Sequence, residues 1–249
     1  MKILILDIET APNTAHVWGL WNNDVSINQL LESSYVMCWS AKWYGEKKVM
    51  FSSVYETTQK KMLESIYKLL DEADVVCHYN GTKFDVPTLN KEFLLAGMTP
   101  PSPYRQIDVL DIVRRRFRFP SNKLDYVAQR MGLGKKFEHE GHTLWIRCMS
   151  NDANAWRIMK KYNMRDVTLL EKVYDRLLPW ITNHPNRALY DINHPAHSCP
   201  NCGSKNVQKR GVAVTTMTKY QRYRCNRCGA WSRGEKIETV KGLLRPSNN

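Results

Sequence analysis

Apolar residues in this chain alternate between short continuous runs and helical spacing, and the order of those patterns sets the expected architecture. Residues 2–6, KILIL, form an apolar run that ends abruptly in Asp-Ile-Glu, as expected of a buried strand delivering carboxylates at its C-terminal edge. The runs YVMCWSAKWY (35–44) and KKVMFSSV (47–54) read as two further strands joined by a turn at Gly45-Glu46, which gives a three-stranded meander. Over 58–72, Met62, Ile66, Leu69 and Leu70 recur at helical spacing, and VVCHYN (75–80) follows as a fourth strand. A second helix is expected over 86–95, with Pro87 in its first turn and Gly97 closing it. Residues 106–113 read as a last strand with poor alternation, or as a helix. Residues 121–131 predict a capped helix, and 154–178 a long one that Pro179 ends. Strands come first and then alternate with helices, so the expected fold class is α/β with a mixed β-sheet flanked by helices.

Length and composition change this picture little. A chain of 249 residues, 43% of them hydrophobic, can bury one full core and carry a small appendage. No stretch approaches the roughly 18 uninterrupted apolar residues of a membrane span. The start, MKILILDIET, reaches acidic residues too soon for a signal peptide, so a cytoplasmic location and no membrane partner are expected. A net charge of +13 and a pI near 9.4 favour polyanions such as nucleic acid, although charge alone assigns no partner. The segment 182–197, with two prolines and little periodicity, reads as a linker between a domain over 1–181 and a small one over 198–249.

Three acidic stretches carry the candidate chemistry. Asp7 and Glu9 are two apart on one strand, so their side chains point to the same face. Asp85 follows the fourth strand where it opens the next helix, and by itself reads as an ordinary N-terminal cap. Tyr162 and Asp166, four apart in a helical stretch, share a face, and alone they read as a packed tyrosine beside a solvated aspartate.

The ordered set DIET (7–10), NGTKFDVP (80–87) and YNMRD (162–166) resembles the three motifs of the DEDD superfamily of 3′-5′ exonucleases, which have the ribonuclease-H-like fold. The likeness is greatest to the exonuclease domain of family B DNA polymerases and its stand-alone relatives, and it covers roughly residues 1–180. Lys161 stands where one subclass has histidine and Tyr162 where the other has tyrosine, so the tyrosine subclass is implied. LDYVAQRMGLGKK (124–136) and Asp108 also resemble that family, without an implied catalytic role.

The resemblance implies that Asp7, Glu9, Asp85 and Asp166 hold two Mg²⁺ or Mn²⁺ ions. It implies that Tyr162 orients the nucleophile, and that Thr10, Asn80 and Phe84 face the substrate. The substrate so implied is DNA, preferably single-stranded 3′ ends. RNA is the alternative within the class, and a non-catalytic nucleic-acid-binding protein on a nuclease scaffold is the alternative outside it. Trp18, Trp21, Tyr35, Trp39 and Trp43 lie near the motifs, where packing is the more common use of such rings. The arginines 114–116 and Arg118 read as phosphate contacts or as a solvated basic face.

Cys199-Pro-Asn-Cys202 and Cys225-Asn-Arg-Cys228 form two Cys-x-x-Cys knuckles, each followed by a glycine, and predict one structural zinc in a small ribbon. His194 and His197 are nearby but are not needed as ligands. Eleven lysines and arginines between 205 and 245 face only Glu235 and Glu238 there, with Tyr220, Tyr223 and Trp231 among them. The string QRYRCNRCGAWSRG resembles the zinc ribbons of some transposases and other DNA-binding proteins. Nucleic-acid contact and docking to a protein both remain open readings of this basic module.

Overall fold

The computed structural model describes residues 1–193, 196–238 and 242, so His194, Lys241 and Arg245 lie outside the described residues. The chain divides into two compact units, one spanning Lys2–Val173 and the other Tyr174–Asn249 with Met1. Among the described residues no helix is long and apolar enough to cross a membrane.

The first unit is built on β1 (Ile3–Thr10). After it, β2 (Thr14–Ala15) and β3 (Leu30–Glu32) form a small antiparallel pair, and β4 (Val36–Trp43) and β5 (Met50–Ser53) complete the meander. Then come α1 (Gln59–Glu72), β6 (Val75–His78), α2 (Asp85–Leu95), β7 (Arg105–Asp108) and α3 (Val109–Arg116). Three further helices follow: α4 (Leu124–Arg130), α5 (His142–Met149) and α6 (Ala153–Leu177). The sheet order is β5-β4-β1-β6-β7, antiparallel on the meander side and parallel on the other. It is the mixed α/β sheet that the sequence pattern predicts.

Alternation along β1 sends its two sets of side chains into different layers. Leu4, Leu6 and Ile8 pack against Met62, Leu63 and Ile66 of α1 and Leu89 and Phe93 of α2. Each such burial contributes about 1.5–3 kcal/mol, which pins the register, because a slip of one residue would exchange the two faces. Asp7 and Glu9 therefore point the other way, to the side where α5 and α6 pack through Leu144, Trp156, Met159 and Tyr162. A bulge in the β1–β4 pairing follows Glu9, where Cys38 and then Val36 become successive partners.

Several expectations shift in detail. The expected strand does carry both acids, with Asp7 opposite Ser40 and Glu9 opposite Cys38, while other elements differ. Residues 106–113 are neither one strand nor one helix. β7 gives way at Asp108, whose carboxylate accepts the Leu110 N–H and starts α3. Helix α5 was not foreseen, and Gly141 before it gives no side-chain cap.

In the second unit β8 (Val207–Val214), β9 (Lys219–Cys225) and β10 (Trp231–Glu238) form an antiparallel sheet in the order β10-β9-β8. Residues 182–193, read from sequence as linker, include a helical turn at Arg187–Tyr190 and a buried His184 whose Nε2 lies 2.7 Å from the Tyr174 hydroxyl.

Candidate active site

Ligand oxygens of Asp7, Glu9 and Asp166 lie within 4.8 Å of one another. The first two come from adjacent same-face positions of β1, the third from one face of α6. Tyr162 and Asn163 sit four and three residues before Asp166, on the same helix face. The Asn163 amide donates to Asp7 Oδ2 at 2.6 Å and so ties the helix to the strand. Asp85 stands beside this trio rather than within it. It opens α2, and its Oδ1 accepts the N–H of Ile8, the residue between the two strand acids, at 3.1 Å.

The turn before Asp85 is fixed by close packing. Asn80 adopts φ 71°, which asparagine tolerates better than most residues, and its N–H donates to Asp108 Oδ1 at 2.9 Å. The Thr82 N–H reaches Asp108 Oδ2 at 3.2 Å. Gly81 donates its N–H to Nδ1 of the buried His78 at 3.0 Å, and a Cβ at Gly81 would stand 2.3 Å from that ring. Asp108 is thus a clamp for the loop as well as the cap of α3.

The electrostatics are those of crowded, desolvated acids. Burial raises the pKa of Asp7 well above the carboxylate range, with Glu9, Asp166 and Asp85 adding to the effect. Burial and then Asp166 push Glu9 up to about 8. Asp85 is pushed up by burial to about 7, even though the Ile8 N–H works against the shift. Burial also raises Asp166, with Lys136 opposing. The Tyr162 hydroxyl is raised first by burial and then by Glu9 and Asp166, so it stays protonated at neutral pH.

Lys136 and Asn163 are the residues that sequence reasoning missed. Lys136 Nζ donates to Asp166 Oδ2 at 2.5 Å and to the Tyr162 hydroxyl at 3.2 Å, and it lies 5.1 Å from the centre of that ring. Burial opposes its charge, but Asp166 and Tyr162 outweigh that and hold its pKa above the ordinary lysine value. Its backbone N–H is held by Asp125 at 2.7 Å, and the neighbouring Lys135 carbonyl accepts from Arg165 of α6 at 3.1 Å. Asn163 had a usable signal in its i, i+3 relation to Asp166. Lys136 ends the segment LDYVAQRMGLGKK, whose resemblance to the family implies no role for it, and a loop residue's neighbours are set by the fold.

Beside Asp7 opens a cavity of about 540 Å³, lined by Tyr79, Asn80, Arg114, Asn122 and Lys136 among others. Of the expected substrate-facing residues, Asn80 lines it, Thr10 ends β1, and Phe84 is exposed just before Asp85. Trp39 belongs to the core, its indole N–H donating to the Met62 carbonyl at 3.0 Å. Trp43 packs against the same core, and Tyr35 packs against the cluster around Tyr162. Trp18 and Trp21 stand almost wholly in solvent.

A divalent cation fits this donor set. Every side-chain donor is a hard oxygen, the acids repel one another in a dry site, and Asp166 Oδ1 is buried without a hydrogen-bond partner.

In the second unit the four cysteine sulfurs also lie within 4.8 Å of one another, with Cys199–Cys228 and Cys202–Cys225 each at 3.6 Å. That is too long for disulfides and matches the roughly 3.8 Å edge of a tetrahedron with metal–sulfur bonds of about 2.3 Å. Gly203 and Gly229 close the knuckles at φ 73° and 83°, donating their N–H groups to the Cys199 and Cys225 carbonyls. Burial alone would raise Cys225, but the N–H groups of Cys228 and Arg227 bring it down to about 7, towards the thiolate form. His197 lies apart from the cluster, against Tyr223 and 4.0 Å from Glu235.

Comparison with known proteins places the first unit. No curated protein sequence matches the chain significantly. Among solved structures, the family B DNA polymerase from the hyperthermophilic archaeon Pyrobaculum calidifontis superposes with a TM-score of 0.58 at 15% identity. The match covers 90% of this chain and 33% of the polymerase, so the chain spans about a third of that protein's length, and the likeness is one of fold. The sequence signature of the RNase_H superfamily matches residues 4–178, which include the strand bearing Asp7 and Glu9 and the helix bearing Asp166. The match spans well over half of the chain, and the protein therefore belongs to the RNase_H superfamily.

Proposed function

We propose that this protein is a metal-dependent 3′-5′ exonuclease of the DEDD type, tyrosine subclass, acting on DNA and preferring single-stranded ends. The observation that carries the reading is the gathering of Asp7, Glu9 and Asp166 oxygens within 4.8 Å, with Asp85 bonded to the strand between the first two. Asp7, Glu9, Asp85 and Asp166 would hold two Mg²⁺ or Mn²⁺ ions. Bound there, such ions supply positive charge against an anionic phosphodiester and acidify the attacking water.

The chain's own groups do the rest. Asn163 holds Asp7 in place through its amide. Tyr162, protonated and 3.2 Å from Lys136, presents its hydroxyl as an orienting donor rather than as a base. Asn80, Arg114 and Lys136 line the adjoining cavity, where the last nucleotides of a strand would be held by hydrogen bonds and phosphate contacts. The polarity and the tyrosine subclass rest on the motif resemblance, and Cys199, Cys202, Cys225 and Cys228 would bind one structural Zn²⁺ in a closed tetrahedral site.

Digestion of 5′-labelled single- and double-stranded DNA and RNA with Mg²⁺ or Mn²⁺ tests the proposal. The expected result is a ladder of progressively shortened single-stranded DNA that requires the metal. Release of 5′ nucleotides would refute the polarity, stronger trimming of RNA would refute the substrate, and no cleavage with any metal would refute the enzyme.

A further inference from the structure

The ribbon sheet has two unlike faces. One carries buried Tyr223 and Cys225, on the side of the cysteine cluster. On the other, register pairs Arg224 with Trp231, Arg222 with Arg233, and Tyr220 with Lys236. All six are exposed except Tyr220, which is half-buried. Two diagonal contacts cross between the strands: the Arg222 guanidinium lies 5.0 Å from the Trp231 ring centre, and that of Arg233 lies 4.8 Å from the Tyr220 ring centre. Of the acids of these strands, Glu238 pairs with Lys219 at 3.1 Å, and Glu235 is exposed with its carboxylate 4.0 Å from His197, which packs against Tyr223.

We propose that this outward face is a platform for single-stranded nucleic acid, with unpaired bases stacking on Trp231, Tyr220 and the guanidiniums laid over them, and phosphates meeting the surrounding cations. Four positive side chains on a patch without a carboxylate select a polyanion, which fixes the sign of the partner. The aromatic rings fix its strandedness. Bases stacked within a duplex keep their π-faces covered, whereas a single strand offers them. Guanidiniums already laid over the rings give up little freedom on binding, Arg222 being held further by its Nε–H bond to the Arg210 carbonyl at 2.8 Å, and their planes accept a stacked base while their remaining N–H groups can meet phosphate.

The inference rests on nucleic acid being the substrate, yet it fails separately from the catalytic reading. The test uses the full chain carrying Asp7→Ala, to spare the probe, and follows fluorescence anisotropy of labelled oligothymidylate, oligouridylate and a duplex of equal length. Trp231→Ala and Tyr220→Ala are each expected to weaken single-strand binding about tenfold, with Trp231→Phe retaining most of it. Arg222→Ala should lower the salt dependence by about one unit of slope. Unchanged single-strand affinity in the double aromatic variant overturns the proposal, as does a duplex bound as tightly as the single strand. Should Trp231→Ala melt early, Arg224→Glu at an exposed position reads the same surface and must also lose affinity. Cleavage by a parent chain whose ribbon variants bind single strands unchanged would leave the enzyme standing and this platform refuted; binding through the ribbon with no cleavage would do the reverse.

Discussion

Lys136→Met removes the cation at the carboxylate cluster while keeping most of the side chain's volume. In the native protein its Nζ is bonded to Asp166 at 2.5 Å, with Asp166 almost completely buried and Lys136 about a third exposed. Opposite charges near 4 Å attract by about 4 kcal/mol at the effective dielectric of a protein boundary, and breaking a buried pair commonly costs 3–5 kcal/mol. Partial solvent access at Lys136 discounts this to about 2–4 kcal/mol at pH 8, a fall in melting temperature on the order of 10 °C. The cost depends on pH with a definite sign. Asp7, Glu9, Asp85 and Asp166 all have folded pKa values above their ordinary ones, Glu9 near 8 and Asp85 near 7. The folded state thus holds more protons than the unfolded chain between the ordinary carboxylate range and about pH 8. The contribution of these four acids to the stability of the metal-free protein is greatest below that window and falls as pH rises through it. Loss of Lys136 steepens the fall, because the pair exists only while Asp166 is ionised. The assay is thermal unfolding of parent and variant at pH 5 and pH 8, with and without Mg²⁺. The variant should lose more stability at pH 8 than at pH 5, and be rescued by Mg²⁺ more than the parent is. An equal loss at both pH values, indifferent to Mg²⁺, would show that Lys136 acts through its packing and not its charge.

Four further substitutions separate the roles of individual groups. Asp7→Ala should lower cleavage by about 10³-fold or more, through loss of a carboxylate that would hold the metal, while Tyr162→Phe should lower it about tenfold through loss of one orienting hydrogen bond; equal and complete loss in single-turnover assays would contradict that division. Gly81→Ala places a methyl group 2.3 Å from the buried His78 ring and should destabilise by about 1–3 kcal/mol, read by denaturant unfolding. An unchanged midpoint would show that the turn has room to spare. Metal analysis should find one zinc per chain, and Cys228→Ser should release it and melt the ribbon sheet while the Mg²⁺-sensitive transition of the first unit persists; a ribbon that keeps its fold without metal would exclude a structural role for zinc.

The sequence by itself determined the elements whose signal is local. The apolar run of β1, the i, i+4 pattern of α1 with its Thr58 cap, and the long α6 stopped near Pro179 are all written in adjacent residues. So was the pairing of the cysteine knuckles, since two residues between thiols suffice to bend a chain round a metal. Where the local signal was weak, reading failed: α5 has no side-chain cap, and 106–113 changes type at one aspartate. Only the tertiary structure decided which layer the acids of β1 face, that Asp85 bonds to Ile8 between them, and that Lys136, twenty-six residues before Tyr162, is the cation among them. The reason is physical. Backbone periodicity fixes a side chain's direction within its own element, but the distance between charges on different elements follows from how the apolar faces of the sheet and helices close on one another.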